Sequence, residues 1–578
     1  MVDVAGNDVP DEDLFAHALL NTTGHYSEDY TIRRSSAFVN EYPREDRTTG
    51  QRSDGGPSDP NHLLGCFPEL FPYGVGGFEV DRVVPVPYEK HARWALQYAD
   101  RRFRKHLHFV FQVFGVIQKR QVCRSACLQL KRSSFAANEA LLSRLSVADL
   151  KKASGEETRR VCFSNPGVQS LRSQLSAVRA KVQGTDESRT SIRAQIWSTT
   201  LLKNPPSIWL TINPADTHDP VAQVFTGSEI DMDHFNQTDG PDATGRASNV
   251  AGDPYAAAKF FHFTIKLILE TLMGITMDDK KTRIHREDGI LGRVSAYIGT
   301  VEAQGRGTLH LHMVLWLESA PTAGQMKEAL RSAQFRERLA QFIKSTIRAD
   351  LDGVTASDLA KMPRQNHVSY SRPVDPRSEQ YAYHSKKRER DLARAVQLHQ
   401  CTVDNCLKIV KGHLRCKRRA PFPLSSEDWI NQDGNWGPRR TCGYLNNWNF
   451  AVLQTTRANH DIKLITNGEE TKDISFYITN YVAKKQTHSS NTSALLAKRF
   501  AYHQAQEAAR ADWVDANKRL LQRCANSLSR LQELSAPEVV SYLMGWGDRY
   551  LSHHYVPIYW DGAVAALKQF YPTLRKKK

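Results

Sequence analysis

The chain has 578 residues, a formal net charge of +16 and a pI near 9.3. Its apolar content of 40% is ordinary, and no run of 18 apolar residues occurs, so we expect a protein of two or three domains without a membrane span. The acidic N-terminus lacks the order of a secretory signal, which favours an intracellular protein. Excess lysine and arginine suit a polyanionic partner such as nucleic acid, although a basic protein without such a partner is the alternative.

The first 200 residues contain a polar segment and then basic helical patterns. Residues 1–60 are rich in Asp, Ser, Gly and Arg, which predicts a disordered tail. Residues 88–134 and 168–181 have helical patterns, and aromatic side chains interleave with basic ones in the first of them. This pattern is typical of a surface that follows a DNA backbone, but a solvated helix face fits equally well. The candidate DNA-binding residues are Arg101, Arg102, Arg104, Lys105, Lys119 and Arg120.

The middle of the chain predicts a strand, a helix and a hairpin. Residues 207–212 form a β-branched and aromatic run that a proline ends, which predicts a strand. Residues 254–273 predict a long amphipathic helix, and residues 295–317 predict a β-hairpin. Glycines on both sides of Arg306 suit a three-residue turn. A mixed helical region extends to about residue 395.

The hairpin gathers three metal-ligand side chains. His310 and His312 alternate along one strand, so they share a face about 7 Å apart. The predicted register places Thr300 opposite His312 and Glu302 opposite His310, which brings a carboxylate to the same face. Two imidazoles and a carboxylate leave coordination positions open for water and a phosphate oxygen. If the turn is one residue longer, Gln304 takes the place of Glu302.

Two other interpretations of the His-x-His pair stay open from spacing alone. Such a pair is often a polar stripe on a protein surface. Two histidines and one carboxylate also suit the iron site of a non-haem oxygenase.

A second ligand set lies downstream. The nine cysteines, odd in number and scattered, do not indicate a secreted disulfide framework. His399, Cys401, Cys406 and Cys416 are assigned as ligands of a structural Zn²⁺, with His413 as a spare. Ordinary buried cysteines are the alternative, but the many lysines and arginines around this cluster are too polar for a core.

A tyrosine pair follows the cysteine cluster. Tyr477 and Tyr481 are four residues apart, so on a helix they share one face, with Lys484 and Lys485 about one turn beyond. A phenol oxygen can attack a phosphodiester and retain it as a phosphotyrosine, provided that positive charge stabilises the phenolate. Taken alone, such a pair more often belongs to the packed face of an amphipathic helix. Helices are predicted from about 493 to 535.

Several ordered motifs make residues 62–571 resemble the helicase-like (replication-initiator, Rep) region of Helitron rolling-circle transposons. The resembling stretches are Phe67-Pro-Glu-Leu-Phe-Pro-Tyr-Gly-Val-Gly-Gly, Trp209-Leu-Thr-Ile-Asn-Pro-Ala-Asp, Gly305-Arg-Gly-Thr-Leu-His-Leu-His, Asn459-His-Asp-Ile-Lys, Thr466-Asn-Gly and Tyr477-Ile-Thr-Asn-Tyr-Val-Ala-Lys-Lys.

The resemblance implies an α+β fold of the HUH nuclease type, with a central antiparallel sheet flanked by helices, helical N- and C-terminal additions and a small zinc knuckle. It implies that His310 and His312 bind Mg²⁺ or Mn²⁺, and that Tyr477 and Tyr481 are nucleophiles that each hold a 5′-phosphate end. The implied partner is single-stranded DNA at transposon ends, in the nucleus. The implied activity is DNA nicking and joining, and a catalytically silent, transposon-derived DNA-binding protein is the alternative.

Proteins of this family normally continue into a helicase. The sequence contains no Gly-x-x-x-x-Gly-Lys-Ser/Thr phosphate loop, so we expect no ATPase or helicase activity in this chain, and a helicase on a separate chain is a candidate partner. The expected organisation is a tail (1–60), a basic helical domain (61–200), the nuclease domain in two parts (201–395 and 426–492), the zinc knuckle (396–425) and a helical C-terminal region (493–578).

Overall fold

The computed structural model describes residues 62–571, except for 81–82, 131–137, 278–283, 306, 363–367, 404–405, 411, 467, 469–490, 508–512, 530 and 557–559. The predicted disordered tail therefore lies outside the described residues. Within the described ranges, no helix combines the length and apolar character needed to cross a bilayer.

A six-stranded antiparallel sheet forms the centre of the fold, which is mixed α+β as predicted. Its strand order is β11-β1-β6-β5-β12, with β4 paired to β5. The strand with the two histidines, β6, thus lies in the middle. The strands are β1 Ile208–Ile212, β2 Ile275–Met277, β3 Ile284–Arg286, β4 Asp288–Gly289, β5 Gly292–Ala303, β6 Leu309–Leu317, β7 Leu407–Val410, β8 His413–Cys416, β9 Trp429–Ile430, β10 Trp436–Gly437, β11 His460–Leu464 and β12 Arg549–Leu551.

The helices surround this sheet. They are α1 His62–Cys66, α2 Tyr88–Leu96, α3 Arg102–Lys105, α4 Phe109–Leu130, α5 Glu139–Ser143, α6 Val147–Thr158, α7 Pro166–Arg179, α8 Asp186–Lys203, α9 Pro220–Thr226, α10 Ala243–Gly252, α11 Pro254–Leu267, α12 Ala323–Ala329, α13 Ala333–Thr346, α14 Ala356–Lys361, α15 Tyr381–Leu392, α16 Phe450–Thr456, α17 Thr492–Glu507, α18 Trp513–Ser529, α19 Ala536–Leu543 and α20 Trp560–Phe570.

The two faces of the sheet are buried differently. Side chains alternate along β6, so Leu311 and its same-face neighbours join the large core formed with helices α2, α4, α11 and α19. Val314 and Trp316 point to the other face, where Ile192 of helix α8 covers them. His310 and His312 belong to this second face, at the end of β6 that precedes Val314. The sheet therefore presents both imidazoles beside helix α8.

The predicted helix over residues 88–134 is divided into three. Arg101 has a φ of +66°, in the left-handed region, and precedes the short helix α3. His106 is extended and ends that helix. Helical periodicity continues through the sequence across both breaks, which is why the pattern predicted one element. The predicted helix at 254–273 begins at Pro254, capped by the Asp253 carboxylate, and its last turn is a π-helix.

A second apolar core joins distant parts of the chain. The C-terminal half of helix α4 and helices α6 and α7 pack against α17 and α18, the helices predicted between 493 and 535. Leu150, Leu171 and Leu521 are almost fully buried in this cluster. The basic helical region and the C-terminal region therefore share one core.

His460, on edge strand β11, should make the fold sensitive to acid. Its side chain is fully buried, and its Nε2 accepts the backbone N–H of Asn449 at 2.9 Å, which requires an unprotonated nitrogen. Burial lowers the pKa of His460 to about 4. Because this pKa lies below the unfolded value near 6.5, the stabilisation is present above pH 6.5 and is lost as the pH falls towards 4, by up to about 3 kcal/mol.

Urea unfolding between pH 7 and 4 measures this effect. We expect His460→Asn to lower the free energy of unfolding at pH 7 and to flatten its fall towards pH 4, while His413→Ala, at an exposed histidine, leaves the curve unchanged. An unaltered slope in His460→Asn would rule out this histidine as the cause.

Candidate functional site

The β5–β6 hairpin has the predicted register. Thr300 pairs with His312 and Glu302 with His310, and the backbone of Gln304 bonds that of Thr308 at 2.9 Å. Gly307 closes the turn with a φ of +81°, which favours glycine. The His-x-His pair and Glu302 therefore lie on one face, as the alternation of side chains required.

The two imidazoles lie together and are buried. Their ring centroids are 4.2 Å apart and the ring planes are nearly perpendicular. His310 is 6% exposed and His312 is 5% exposed. Strand β1 positions the second ring: Trp209 stacks on His312 at 5.3 Å, and the Thr211 hydroxyl lies 3.3 Å from its Nδ1. Both histidines are thus held in fixed orientations rather than exposed as a surface stripe.

The environment of His310 suits a metal ligand. Burial lowers its pKa to about 4, and the positive charge of Arg418 acts in the same direction, so the ring is neutral at physiological pH. The backbone of Ile212 accepts a hydrogen bond from the ring, whereas the buried Nδ1 has no hydrogen-bond partner among the described residues. A neutral imidazole with one anchored and one available nitrogen is the form in which histidine binds metals.

The predicted third ligands have other contacts. One oxygen of Glu302 lies 3.9 Å from His312 Nε2, and the other lies 3.9 Å from the guanidinium of Arg189. The amide of Gln304 donates to Asn213 at 2.8 Å. In the part of the chain that the structure describes, Glu302 and the two histidines are not close enough together to form a compact three-ligand group.

Arg189, on helix α8, was not predicted to belong to the site. Its side chain is 1% exposed and donates to the backbone oxygen of Val301 at 2.9 Å. Asp548, Tyr542, Glu302 and Glu538 together raise its pKa, against the effect of burial. The guanidinium thus balances the negative charge beside the histidines and fixes α8 to β5.

The Cys/His cluster assembles as predicted. The metal-binding atoms of His399, Cys401, Cys406 and Cys416 all lie within 4.8 Å of one another. His399 Nε2 is 3.2 Å from Cys416 Sγ and 3.3 Å from Cys401 Sγ. A tetrahedral zinc ion with bonds of about 2.0–2.3 Å would hold its ligand atoms about 3.5 Å apart. The four residues could therefore hold zinc, while the spare, His413, is exposed at the start of β8.

The cluster stands beside the β7–β8 hairpin, next to a run of basic residues. The backbone N–H of Arg418 donates to Cys416 Sγ at 3.3 Å. Burial opposes ionisation of Cys416, but the backbone N–H groups of Ala420 and Arg418 outweigh it and lower the pKa of this thiol. Burial lowers the pKa of His399, and the positive charge of Arg418 adds to this effect, as it does at His310. The basic segment after the cluster thus lies near the histidine pair.

Two of the candidate DNA-binding arginines make ion pairs within the fold. Arg104 is buried, with its guanidinium 2.8 Å from Asp253 and over the ring of Tyr255. Arg120 makes a two-pronged contact with Glu79, at 3.0 and 2.8 Å. Ion pairs of this kind hold helices α3 and α4 in the fold, and DNA binding by these two arginines stays a prediction.

The other four candidate DNA-binding residues are more exposed than Arg104. Arg101 donates to the backbone oxygen of Thr226 at 2.7 Å, and Arg102 pairs with Asp100. Lys105 is exposed, and Lys119 is half-buried. Tyr477, Tyr481, Lys484 and Lys485 lie outside the described residues, so their roles stay predictions.

Trp209 and Thr211 could have been found from the sequence. Strand β1 was predicted, and alternation places these two side chains on the face opposite to Leu210. The pairing of β1 with β6, which brings them to His312, was not apparent from local pattern. Arg189 and Arg418 gave no sequence signal that separated them from other basic residues.

A comparison with protein families finds a match over the part of the chain that contains the histidine pair. Residues 91–315 match the model of the Helitron helicase-like domain at N-terminus. The match includes strand β1 and both histidines of β6. No curated protein matches the chain. Residues 91–315 therefore form a Helitron helicase-like N-terminal domain, and the chain is related through it to the proteins of Helitron transposons.

Proposed function

We propose that this chain is an HUH-type endonuclease and strand transferase that cuts single-stranded DNA of a Helitron-like rolling-circle transposon. The observation that carries the proposal is the pair of adjoining buried imidazoles of His310 and His312 on the central strand, inside the Helitron-related region. The buried, available Nδ1 of His310 supports a metal-binding role over a purely structural one.

His310 and His312 would hold Mg²⁺ or Mn²⁺. When bound, such an ion polarises a phosphate oxygen and offsets the charge that develops on phosphorus. Glu302 is better placed than Gln304 as third ligand, because its carboxylate is 3.9 Å from His312 whereas the Gln304 amide donates to Asn213. The guanidinium of Arg189, 3.9 Å from the Glu302 carboxylate, balances its negative charge.

The tyrosines would perform the covalent step. The phenol oxygen of Tyr477 or Tyr481 forms a bond to phosphorus while the bond from phosphorus to the 3′ oxygen breaks. The phenol loses a proton and the leaving oxygen gains one, which gives a 5′-phosphotyrosine and a free 3′-OH. Lys484 and Lys485 would stabilise the phenolate. The second tyrosine can cut another strand, and a free 3′-OH that attacks the first linkage joins the strands without ATP.

The surroundings would guide the DNA. The exposed, basic residues that follow Cys416, Arg418 among them, would contact the sugar–phosphate backbone. Lys105 is an exposed candidate on the N-terminal helices. The Cys/His cluster would hold the basic segment in place and take no part in the chemistry.

Covalent adduct formation tests the proposal. The full chain is incubated with Mn²⁺ and single-stranded oligonucleotides of randomised sequence that carry a label at the 3′ end. Because the tyrosine retains the 5′-phosphate of the downstream fragment, the label should move onto the protein. We expect each single Tyr→Phe variant to keep part of the adduct and Tyr477→Phe/Tyr481→Phe to form none, while Tyr383→Phe, at an exposed tyrosine, behaves as the wild type.

The same assay separates the alternatives. DNA binding without any adduct would identify a catalytically silent DNA-binding protein. Bound iron without an adduct would favour the oxygenase interpretation. An adduct that persists in the double variant would exclude both tyrosines as nucleophiles.

A further inference from the structure

A large cavity lies away from the histidine pair. It has a volume of about 850 Å³ and opens between helix α11, the β2–β3 hairpin and the β12 edge of the sheet. Tyr297 of β5 lines it, and side chains at Tyr297 and Val301 point to the face opposite that of Thr300 and Glu302. The cavity is therefore separated from His310 and His312 by the sheet itself. Its volume is within the range of about 300–1,000 Å³ that small-ligand sites have.

The walls combine flat rings with aliphatic side chains. Phe263 is 41% exposed and lines the cavity. The deep wall is rigid, because His262 bonds the hydroxyl of Tyr550 at 2.6 Å and that of Ser541 at 2.9 Å. Such walls fit a flat, largely apolar group. Other lining residues are Leu269, Ile275, Met277, Ile284, Trp546 and Leu551.

The rim of the cavity is positively charged. Among the described residues, Lys259, Lys266, Arg286 and Arg549 line it, and the acidic one is Glu270, which is 3.6 Å from Lys266. Arg549 is paired with Asp548 at 2.8 Å, so the two lysines and Arg286 carry most of the positive charge. Arg286 is exposed. Cationic groups at the mouth of an apolar cavity favour a ligand with an anionic end and disfavour a metal ion.

One tyrosine of the cavity wall offers a hydrogen-bond donor to a ligand. Tyr297 is 3% exposed as a residue, and its side chain lines the cavity. Burial raises the pKa of Tyr297 to about 12, against the opposing effect of Arg286, so the group stays protonated and can donate. A protonated hydroxyl on the cavity wall can donate a hydrogen bond to an acceptor on a ligand.

We propose that this cavity binds a nucleotide, with the base between the aromatic and aliphatic walls, the phosphate at Arg286 and the lysines, and a base acceptor at the Tyr297 hydroxyl. Nucleobases stack on aromatic side chains whatever their identity, and phosphates are natural partners of arginine. The nucleotide is either free or a base turned out of a DNA strand. The proposal does not depend on DNA cleavage by the histidine pair.

Titration of the full chain with dAMP, and separately with the oligonucleotide (dA)12, tests the proposal by calorimetry. We expect Arg286→Gln to weaken binding by about tenfold or more and Tyr297→Phe by about fivefold, since a charged hydrogen bond contributes more than a neutral one. Arg338→Gln, at an exposed arginine elsewhere, is the matched control and should bind as the wild type. A melting curve of each variant shows whether it is folded, and Tyr297→Phe keeps the shape of the side chain.

The two arms identify the source of the nucleotide. Binding of dAMP that the variants weaken supports a free nucleotide. Binding of (dA)12 alone, weakened by the same variants but not by His310→Ala, supports a base from DNA. Affinities that neither Arg286→Gln nor Tyr297→Phe changes would overturn the proposal, as would binding of decanoate in place of both nucleotides.

Discussion

Replacing His310 with alanine should lower the rate of DNA nicking by about a thousandfold or more. The expected loss is large because the variant removes one of two imidazoles that would hold the ion acting on the scissile phosphate. His312→Ala should have a comparable effect. The double variant should be little worse than either single one, because residues that act as a unit are not additive. Single-turnover nicking of labelled single-stranded DNA in Mn²⁺ measures these rates.

A matched control separates the metal site from general damage. His285 is an exposed strand histidine, and His285→Ala should nick at the wild-type rate. Because His310 is buried, a melting curve must show that the alanine variant is folded. His310→Gln, whose side chain is closer in size to histidine, provides a second test. A folded His310 variant that retains the wild-type rate would contradict the assignment.

Replacing Cys406 with serine should remove tightly bound zinc. The purified wild type should contain about one equivalent, because three sulfurs and one nitrogen lie within 4.8 Å of one another, close enough for a tetrahedral ion. Cys406 is 3% exposed, so water has little access to replace its sulfur as a ligand of the ion. Serine is a poor zinc ligand, and structural zinc contributes about 10 kcal/mol or more to folding of small sites. Elemental analysis of the dialysed protein measures the metal content.

Controls for the zinc site come from the same chain. Cys162 is exposed and lies outside the cluster, so Cys162→Ser should keep the zinc, as should His413→Ala. Hydrogen exchange should show loss of protection confined to residues near 399–416 in Cys406→Ser. Full zinc content in Cys406→Ser would disprove the assigned ligand set.

The hairpin register could be predicted because every signal for it is local. Alternation along a strand fixes which side chains share a face, and glycine at Gly307 permits the left-handed turn. The opposition of Glu302 to His310 follows from these two facts alone. The Cys/His cluster was equally accessible, since its four ligands lie within 18 consecutive residues.

Contacts between residues that are distant in sequence could not be predicted, because they depend on how the elements pack. The ion pair of Arg104 with Asp253 could not be predicted, because Asp253 lies far along the chain, on an element whose position no local pattern gives. The same is true of Arg189 and Glu302, whose contact depends on how helix α8 crosses the sheet. Charge patterns show that a segment is basic but not which of its guanidinium groups the fold itself neutralises.

The most direct test of the central claim is electron spin-echo spectroscopy of Mn²⁺ bound to the wild-type chain. If the two imidazoles of β6 hold the ion, the wild-type spectrum should contain nitrogen couplings from two histidines. The spectrum of His310→Ala should contain couplings from one histidine, and that of His310→Ala/His312→Ala should contain none. Manganese spectra that are the same in all three proteins, or that lack nitrogen couplings altogether, would contradict the account.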